Sequence, residues 1–155
     1  ERLALWKGRK KAFGAMGQIA SDLMVQDGTV PRSKLTEVLE QISEIGVRHD
    51  LTIANVFHAG DGNLHPNLLF DRSDPEELSR VERASTEIMS VCVEAGGTIT
   101  GEHGVGLDKR RYMSLVHSPD ELEAMRRVKA VFAPRGRMTP GKVLPDPPDS
   151  AEAAR

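Results

Sequence analysis

At 155 residues the chain has the length of a single domain, and 39% hydrophobic residues suit a globular core. Lys and Arg number 21 against 23 Asp and Glu, a net charge of −2 that argues against a nucleic-acid or anionic-membrane binder. No apolar run approaches the roughly 18 residues of a membrane span, no signal peptide opens the chain, and the single Cys92 excludes an internal disulfide framework and fits a reducing, cytoplasmic compartment.

The chain begins at Glu1, directly in a helical pattern, and reads as a piece of something longer. Leu3 to about Phe13 predicts an amphipathic helix ending before Gly14, with Trp6 in a core or interface and Lys7, Arg9, Lys10 and Lys11 on a solvated face. Ile19 to Val30 alternates and is broken by Asp27-Gly28, which predicts a strand or two. Pro31 opens a helix whose stripe is Leu35, Val38, Leu39, Ile42 and Ile45, with a structural His49 at its end. Leu51–Phe57 and Asn67–Phe70 read as strands around Asp61-Gly62, the dipeptide of a two-residue type I′ hairpin. Asp74-Pro75-Glu76-Glu77 starts a helix, Leu78, Val81, Ile88, Val91, Cys92 and Ala95 form its stripe, and Gly96-Gly97 stops it. Thr98-Ile99-Thr100 is a short strand. Lys109-Arg110-Arg111 is a solvated run beside a glycine-rich loop, and His117 is structural. Ser118-Pro119-Asp120-Glu121 starts the last helix, with Leu122, Met125, Val128 and Phe132 inward; Pro134–Gly141 is turn-dense, and 146–155 is a disordered tail.

Without the end helices the order is strand, helix, strand, strand, helix, strand. This is the split βαβ pattern of a ferredoxin-like α+β fold: an antiparallel sheet with helices packed on one face, plus additional terminal helices. In its ideal form the fourth strand ends at the opposite edge from the hairpin tip. Extra strands or a curled loop are then needed to bring residues after Thr100 to that tip.

The chemistry concentrates in two segments. A two-residue loop at Asp61-Gly62 pairs His58 directly with His65, close enough for both imidazoles to reach one metal ion. Gly101-Glu102-His103-Gly104-Val105-Gly106 places a carboxylate next to a titratable base in a loop whose glycines imply positive φ or close packing. Its G-x-x-G-x-G spacing is no dinucleotide fingerprint. A site with open positions serves several chemistries, so a metal-dependent hydrolase and a non-catalytic ferredoxin-like binding module stand as alternatives to a redox role.

In order along the chain stand Leu5-Trp6-Lys7-Gly8-Arg9-Lys10, Asp27-Gly28-Thr29-Val30-Pro31-Arg32, the segment Asn55 to Pro66, Gly101 to Gly106, and Pro134-x-Gly136-x-Met138-x-Pro140-Gly141-Lys142. Together they resemble the C-terminal domain of FAD-linked 2-hydroxyacid oxidoreductases, with bacterial glycolate oxidase flavin subunits nearest and D-lactate and D-2-hydroxyglutarate dehydrogenases as relatives. The resemblance implies that 1–145 is a substrate-capping domain whose parent carries a separate N-terminal FAD-binding domain, absent here, which holds most of the flavin. It implies His58, His65 and Glu102 as ligands of a divalent metal, Zn or Mn, and His103 as the base that takes the hydroxyl proton. Arg9 and Asn67 fall at substrate-binding positions, and Asn63, Gly104 and Lys142 at flavin-binding ones. A small substrate, glycolate or D-lactate, is implied because Phe13 stands where hydroxyglutarate enzymes have a polar contact. Thr139 replaces the Asn usual before Pro-Gly-Lys. Implied partners are the FAD domain in cis and other oxidase subunits, an iron–sulfur subunit among them. A cytoplasmic location follows, with those subunits as the route to the inner-membrane surface.

Overall fold

Eight consecutive buried residues, Asn63–Phe70, form the strand on which the first part of the molecule is built. The computed structural model describes residues 2–146, so the predicted tail lies outside the described residues except for Asp146. Its contacts group into two compact units, 1–101 and 102–155. The first holds α1 (Arg2–Lys10), α2 (Ala12–Met16), β1 (Asp22–Val25), β2 (Gly28–Thr29), α3 (Leu35–Arg48), β3 (Thr52–His58), β4 (Asn63–Phe70) and α4 (Pro75–Glu94). The single N-terminal helix expected from Leu3 to Phe13 is two. Lys11 N–H bonds Gly8 O, three residues back, and this tightened turn separates α1 from α2, which runs through Gly14.

The sheet is antiparallel throughout, with β4 central: β3 lies on one side and β1 followed by β2 on the other. Helices α3 and α4 pack on one face, as the ferredoxin-like pattern requires. Gly28 lies under Cys92 of α4, which identifies that face as the one carrying Leu64, Leu68 and Phe70. The stripes predicted for both helices supply the rest of this core, with Val38, Ile42, Ile45, Val81, Ile88 and Cys92 at most 1% exposed. Leu35, Leu39, Leu78 and Val91 sit at its half-buried margin. Burial pushes the Cys92 thiol up to about 12, which makes it an inert core residue. Asp74 caps α4 through its side chain, and Gly96 at φ 84° ends the turn that follows.

Two expectations fail in the sheet. The hairpin loop has four residues, not two: His58 pairs with Asn63, and His65 with Val56. A type I′ turn needs positive φ at both central residues, and only Gly62 has it (74°). The tip is instead fixed by a non-local contact. Val30 N–H donates to Gly62 O at 2.9 Å, and a Cβ on Gly62 would overlap the Val30 carbonyl. The strand expected at Thr98–Thr100 is a single bridge, Thr98 to Thr29, after which the chain curls off the ladder.

The second unit contains a 3₁₀ turn (Arg110–Tyr112), α5 (Met113–Val116) and α6 (Pro119–Phe132). Ser118 and Glu121 form the full capping box that starts α6. The turn-dense segment after it is stitched back by Val143 N–H to Gly106 O (2.8 Å) and the Arg110 guanidinium to Gly141 O (3.0 Å). The inward stripe of α6 is only partly inward. Leu122 is buried and Met125 half-buried, but Val128 and Phe132 are 61% and 74% exposed. Periodicity marked the apolar face correctly, but its C-terminal half lines an open groove with Met138, Thr139 and Val143.

Candidate metal centre and substrate face

The sheet face away from α3 and α4 carries a polar row on β4: Asn63, His65 and Asn67 alternate onto it, beside the cross-strand partners His58, Val56 and Ala54. His58 and His65 are diagonal neighbours there rather than a direct pair. A register shift of two leaves both histidines on one face, so the expected juxtaposition survives the wrong loop length. Their rings meet edge to face with centroids 5.4 Å apart. His58 is exposed, whereas His65 is 5% exposed.

The His65 tautomer follows from its partner. Nδ1 lies 3.1 Å from the Gln26 carbonyl oxygen. A carbonyl only accepts, so Nδ1 carries the hydrogen, and in the neutral ring this leaves the lone pair on Nε2, the arrangement in which metal-binding histidines are commonly held. The Asp27 carboxylate stands behind the same nitrogen, with Oδ1 at 3.9 Å.

Asp27 is the residue the sequence reading passed over, as half of a strand-breaking Asp-Gly. It is fully buried, and its Oδ2 accepts from the Thr100 hydroxyl (2.7 Å) and the Gly101 N–H (3.1 Å). Gly101 N–H is also 3.0 Å from the Asp27 carbonyl. The curl after Thr98 is therefore tied down beside His65. A Cβ on Gly101 would come within 2.7 Å of Asn63, the cross-strand partner of His58. The signal that could have exposed Asp27 is a carboxylate at the one interruption of an otherwise continuous strand.

Asn63 and Asn67 line the same face, 6% and 0% exposed, each with a buried Oδ1 that has no hydrogen-bond partner. Asn67 Nδ2 is committed to the carbonyls of Ala54 (3.0 Å) and His65 (2.7 Å). Two orphaned acceptors beside two imidazoles fit a site built to receive a cation, a hydroxyl or another donor. On the other side of His58 a surface pocket of about 700 Å³ runs along β3 and the hairpin loop to Trp6 of α1. Trp6 is 51% exposed and so stands outside the core. Arg9 belongs to α1, and its side chain and that of Phe13 lie outside the described residues.

Glu102 and His103 open the second unit, both about half exposed, with His103 Nε2 3.8 Å from Glu102 Oε1. Neighbouring residues would diverge in a regular strand. Here both turn to one side, in a loop with Gly104 at φ 78° and Gly106 at φ 56°. Lys142 is exposed in the turn after Thr139, bonding its O at 3.3 Å. His49 pairs with Glu87 at 2.6 Å, the structural role expected of it.

Comparison with known proteins gives this geometry its setting. Residues 1–143 match the family model described as FAD linked oxidases, C-terminal domain. Glycolate oxidase subunit GlcD of Escherichia coli (strain K12) is 48% identical over 94% of this chain and 29% of its own length. Its counterpart in Bacillus subtilis (strain 168) is 40% identical over 93% of this chain and 31% of its own. The mitochondrial D-lactate dehydrogenase [cytochrome] of Arabidopsis thaliana is 35% identical over 91% and 25%. The chain thus spans under a third of the length of these relatives. It belongs to the FAD linked oxidase family, as that family's C-terminal domain.

Proposed function

We propose that this chain is the substrate-capping domain of a flavin-dependent oxidoreductase that oxidises a small 2-hydroxyacid, glycolate or D-lactate, to the 2-oxoacid. The observation that carries the reading is the His58–His65 pair, with the His65 Nε2 lone pair fixed on the polar face and Gly101 anchored beside it. Glu102 is the next residue in the chain, and we assign it with the two histidines as ligands of a divalent ion, Zn²⁺ or Mn²⁺. Such an ion would polarise the substrate hydroxyl and lower its pKa. The flavin, when bound, accepts the hydride and carries the redox chemistry.

The remaining roles belong to this chain. His103 accepts the hydroxyl proton at a ring nitrogen. A metal-bound nitrogen has no lone pair left for that task, so base and ligand are separate residues. Arg9 lies one turn beyond Trp6 on α1, and Trp6 lines the pocket that includes His58, which supports Arg9 as the clamp on the substrate carboxylate. Asn67 offers its unpartnered Oδ1 to the substrate side. Asn63, Gly104 and Lys142 are assigned toward the flavin. Two relatives are named as oxidase subunits, which supports further subunits in the parent enzyme. We propose an iron–sulfur subunit among them and a cytoplasmic location for the assembly. Among the described residues no helix is long and apolar enough to cross a membrane.

The test uses the full-length protein, flavin domain included. Anaerobic addition of glycolate or D-lactate should bleach the flavin, and elemental analysis should find one divalent metal per site. His58→Ala should lose metal and rate together. His103→Ala should keep metal and flavin and slow bleaching by about 10²–10⁴-fold. Normal bleaching after His58→Ala would overturn the metal assignment, and hydrolysis without flavin reduction would favour the hydrolase alternative.

A further inference from the structure

The imidazole of His65 is oriented through a donor that the following residue lacks. In an antiparallel ladder a hydrogen-bonded pair exchanges two N–H···O bonds. Gln26 and Pro66 form such a pair: Val25 is opposite Asn67, Gly28 is opposite Leu64, and Gln26 N–H donates to Pro66 O at 2.9 Å. The return bond, from residue 66 to the Gln26 carbonyl, cannot form because proline has no N–H. The Gln26 carbonyl accepts from His65 Nδ1 at 3.1 Å instead. Pro66 is fully buried in the central strand, a place where proline costs a ladder bond and is seldom tolerated. Its N and O both point toward β1 and β2, so the pairing with Asn55 of β3 needs no donor from it.

We infer that Pro66 is a positioning residue. By deleting one ladder donor it reserves the Gln26 carbonyl for His65 Nδ1–H and thereby presents Nε2 to the polar face. The geometry stands without a metal; the consequence for metal affinity rests on the function proposed above. Any other residue at 66 would bring an N–H that competes for the same carbonyl and loosens the imidazole.

The test is Pro66→Ala in the full-length protein. Nitrogen-15 spectra of histidine-labelled, metal-stripped protein should show His65 leaving its single Nδ1–H tautomer for a mixture. Zn²⁺ affinity, measured by chelator competition, should fall about 10–100-fold, the usual effect of losing an orienting partner. The melting temperature is not the discriminating readout, because the gained ladder bond is offset by the lost packing of a buried ring; the tautomer and the affinity are, since a merely structural role for Pro66 would move neither. Replacing residue 66 by an α-hydroxy acid, which like proline lacks the N–H but has no ring, should restore both tautomer and affinity. If Pro66→Ala fails to fold, the α-hydroxy-acid variant decides: the native tautomer supports the inference and any other overturns it. An unchanged tautomer and affinity in folded Pro66→Ala would overturn it and leave the orienting role to Asp27. If His58→Ala and His65→Ala both leave Zn²⁺ binding unchanged, the metal reading fails, while the tautomer measurement still decides the role of Pro66.

Discussion

Asp27 shows how much one buried side chain organises here. Its carboxylate takes two donors from the curl after Thr98 and stands behind His65, so it couples the fold of that curl to the histidine pair. Asp27→Ala leaves the Thr100 hydroxyl and Gly101 N–H without this acceptor and should cost about 1–3 kcal/mol in denaturant unfolding. Amide exchange at Gly101 should quicken in parallel. Asp27→Asn retains an acceptor oxygen and should cost less; equal losses in the two variants would argue against the hydrogen-bond account. Thr139 offers a test of opposite sign. It has φ 39° directly before Pro140, where a β-branched residue is strained. Asn tolerates that region better, because its short polar side chain can bond locally to the backbone. Thr139→Asn should therefore stabilise the chain by up to about 1 kcal/mol, read as a raised melting temperature.

At the level of elements, what was legible in the sequence had local causes. Asp74 and Ser118 announced α4 and α6 because capping uses residues two and three places apart, and Gly96 marked the stop of α4 for the same reason. The hairpin register was illegible because a contact 32 residues away in sequence, Val30 to Gly62, decides the loop length. The curl after Thr98 was equally hidden, since it depends on Asp27 some 70 residues earlier. The juxtaposition of His58 and His65 was nevertheless legible, because a shift of two residues preserves a face while a shift of one would not. Gly62→Ala tests the tip: with positive φ and the Val30 carbonyl against the added methyl, it should destabilise by at least about 1 kcal/mol. Between helices, Glu87 of α4 is held below its ordinary value of 4.5 by His49, then by Arg48, at the end of α3. A depressed carboxylate contributes stability above its unfolded pKa and loses it as pH falls through the folded one, so the contribution is present above about pH 4.5 and lost below it. Both Arg48 and Glu87 are more than a third exposed, so the effect is that of a screened pair, under about 1 kcal/mol. Glu87→Gln should flatten that part of the acid limb in a stability–pH profile and leave neutral pH little changed.

For the molecule as a whole, the decisive fact is that the chain aligns, over 143 to 145 residues, to under a third of the relatives' length. Something must cover what this chain leaves bare. Val128, Val131 and Phe132 on α6 and Met138 beyond it are each more than half exposed, around a groove of about 740 Å³ that also takes in Val143 and Leu144. A patch of this kind is unusual on a self-sufficient domain and ordinary on one side of an interface. We propose that its occupant is a flavin-binding part of the parent protein, because the groove is formed by α6 and the 134–144 segment, which carries Lys142, the residue assigned above toward the flavin. Produced alone, the chain should be colourless and without oxidoreductase turnover, the outcome expected where the flavin is held mainly outside it, as proposed above. It should also self-associate in sedimentation experiments and bind a hydrophobic dye. Phe132→Ser should reduce both effects in the isolated chain and weaken flavin retention or thermal stability in the full-length protein. A monomeric chain that ignores the dye, or a full-length Phe132→Ser protein indistinguishable from the parent, would show that the groove faces solvent in the working enzyme and that the interface lies elsewhere.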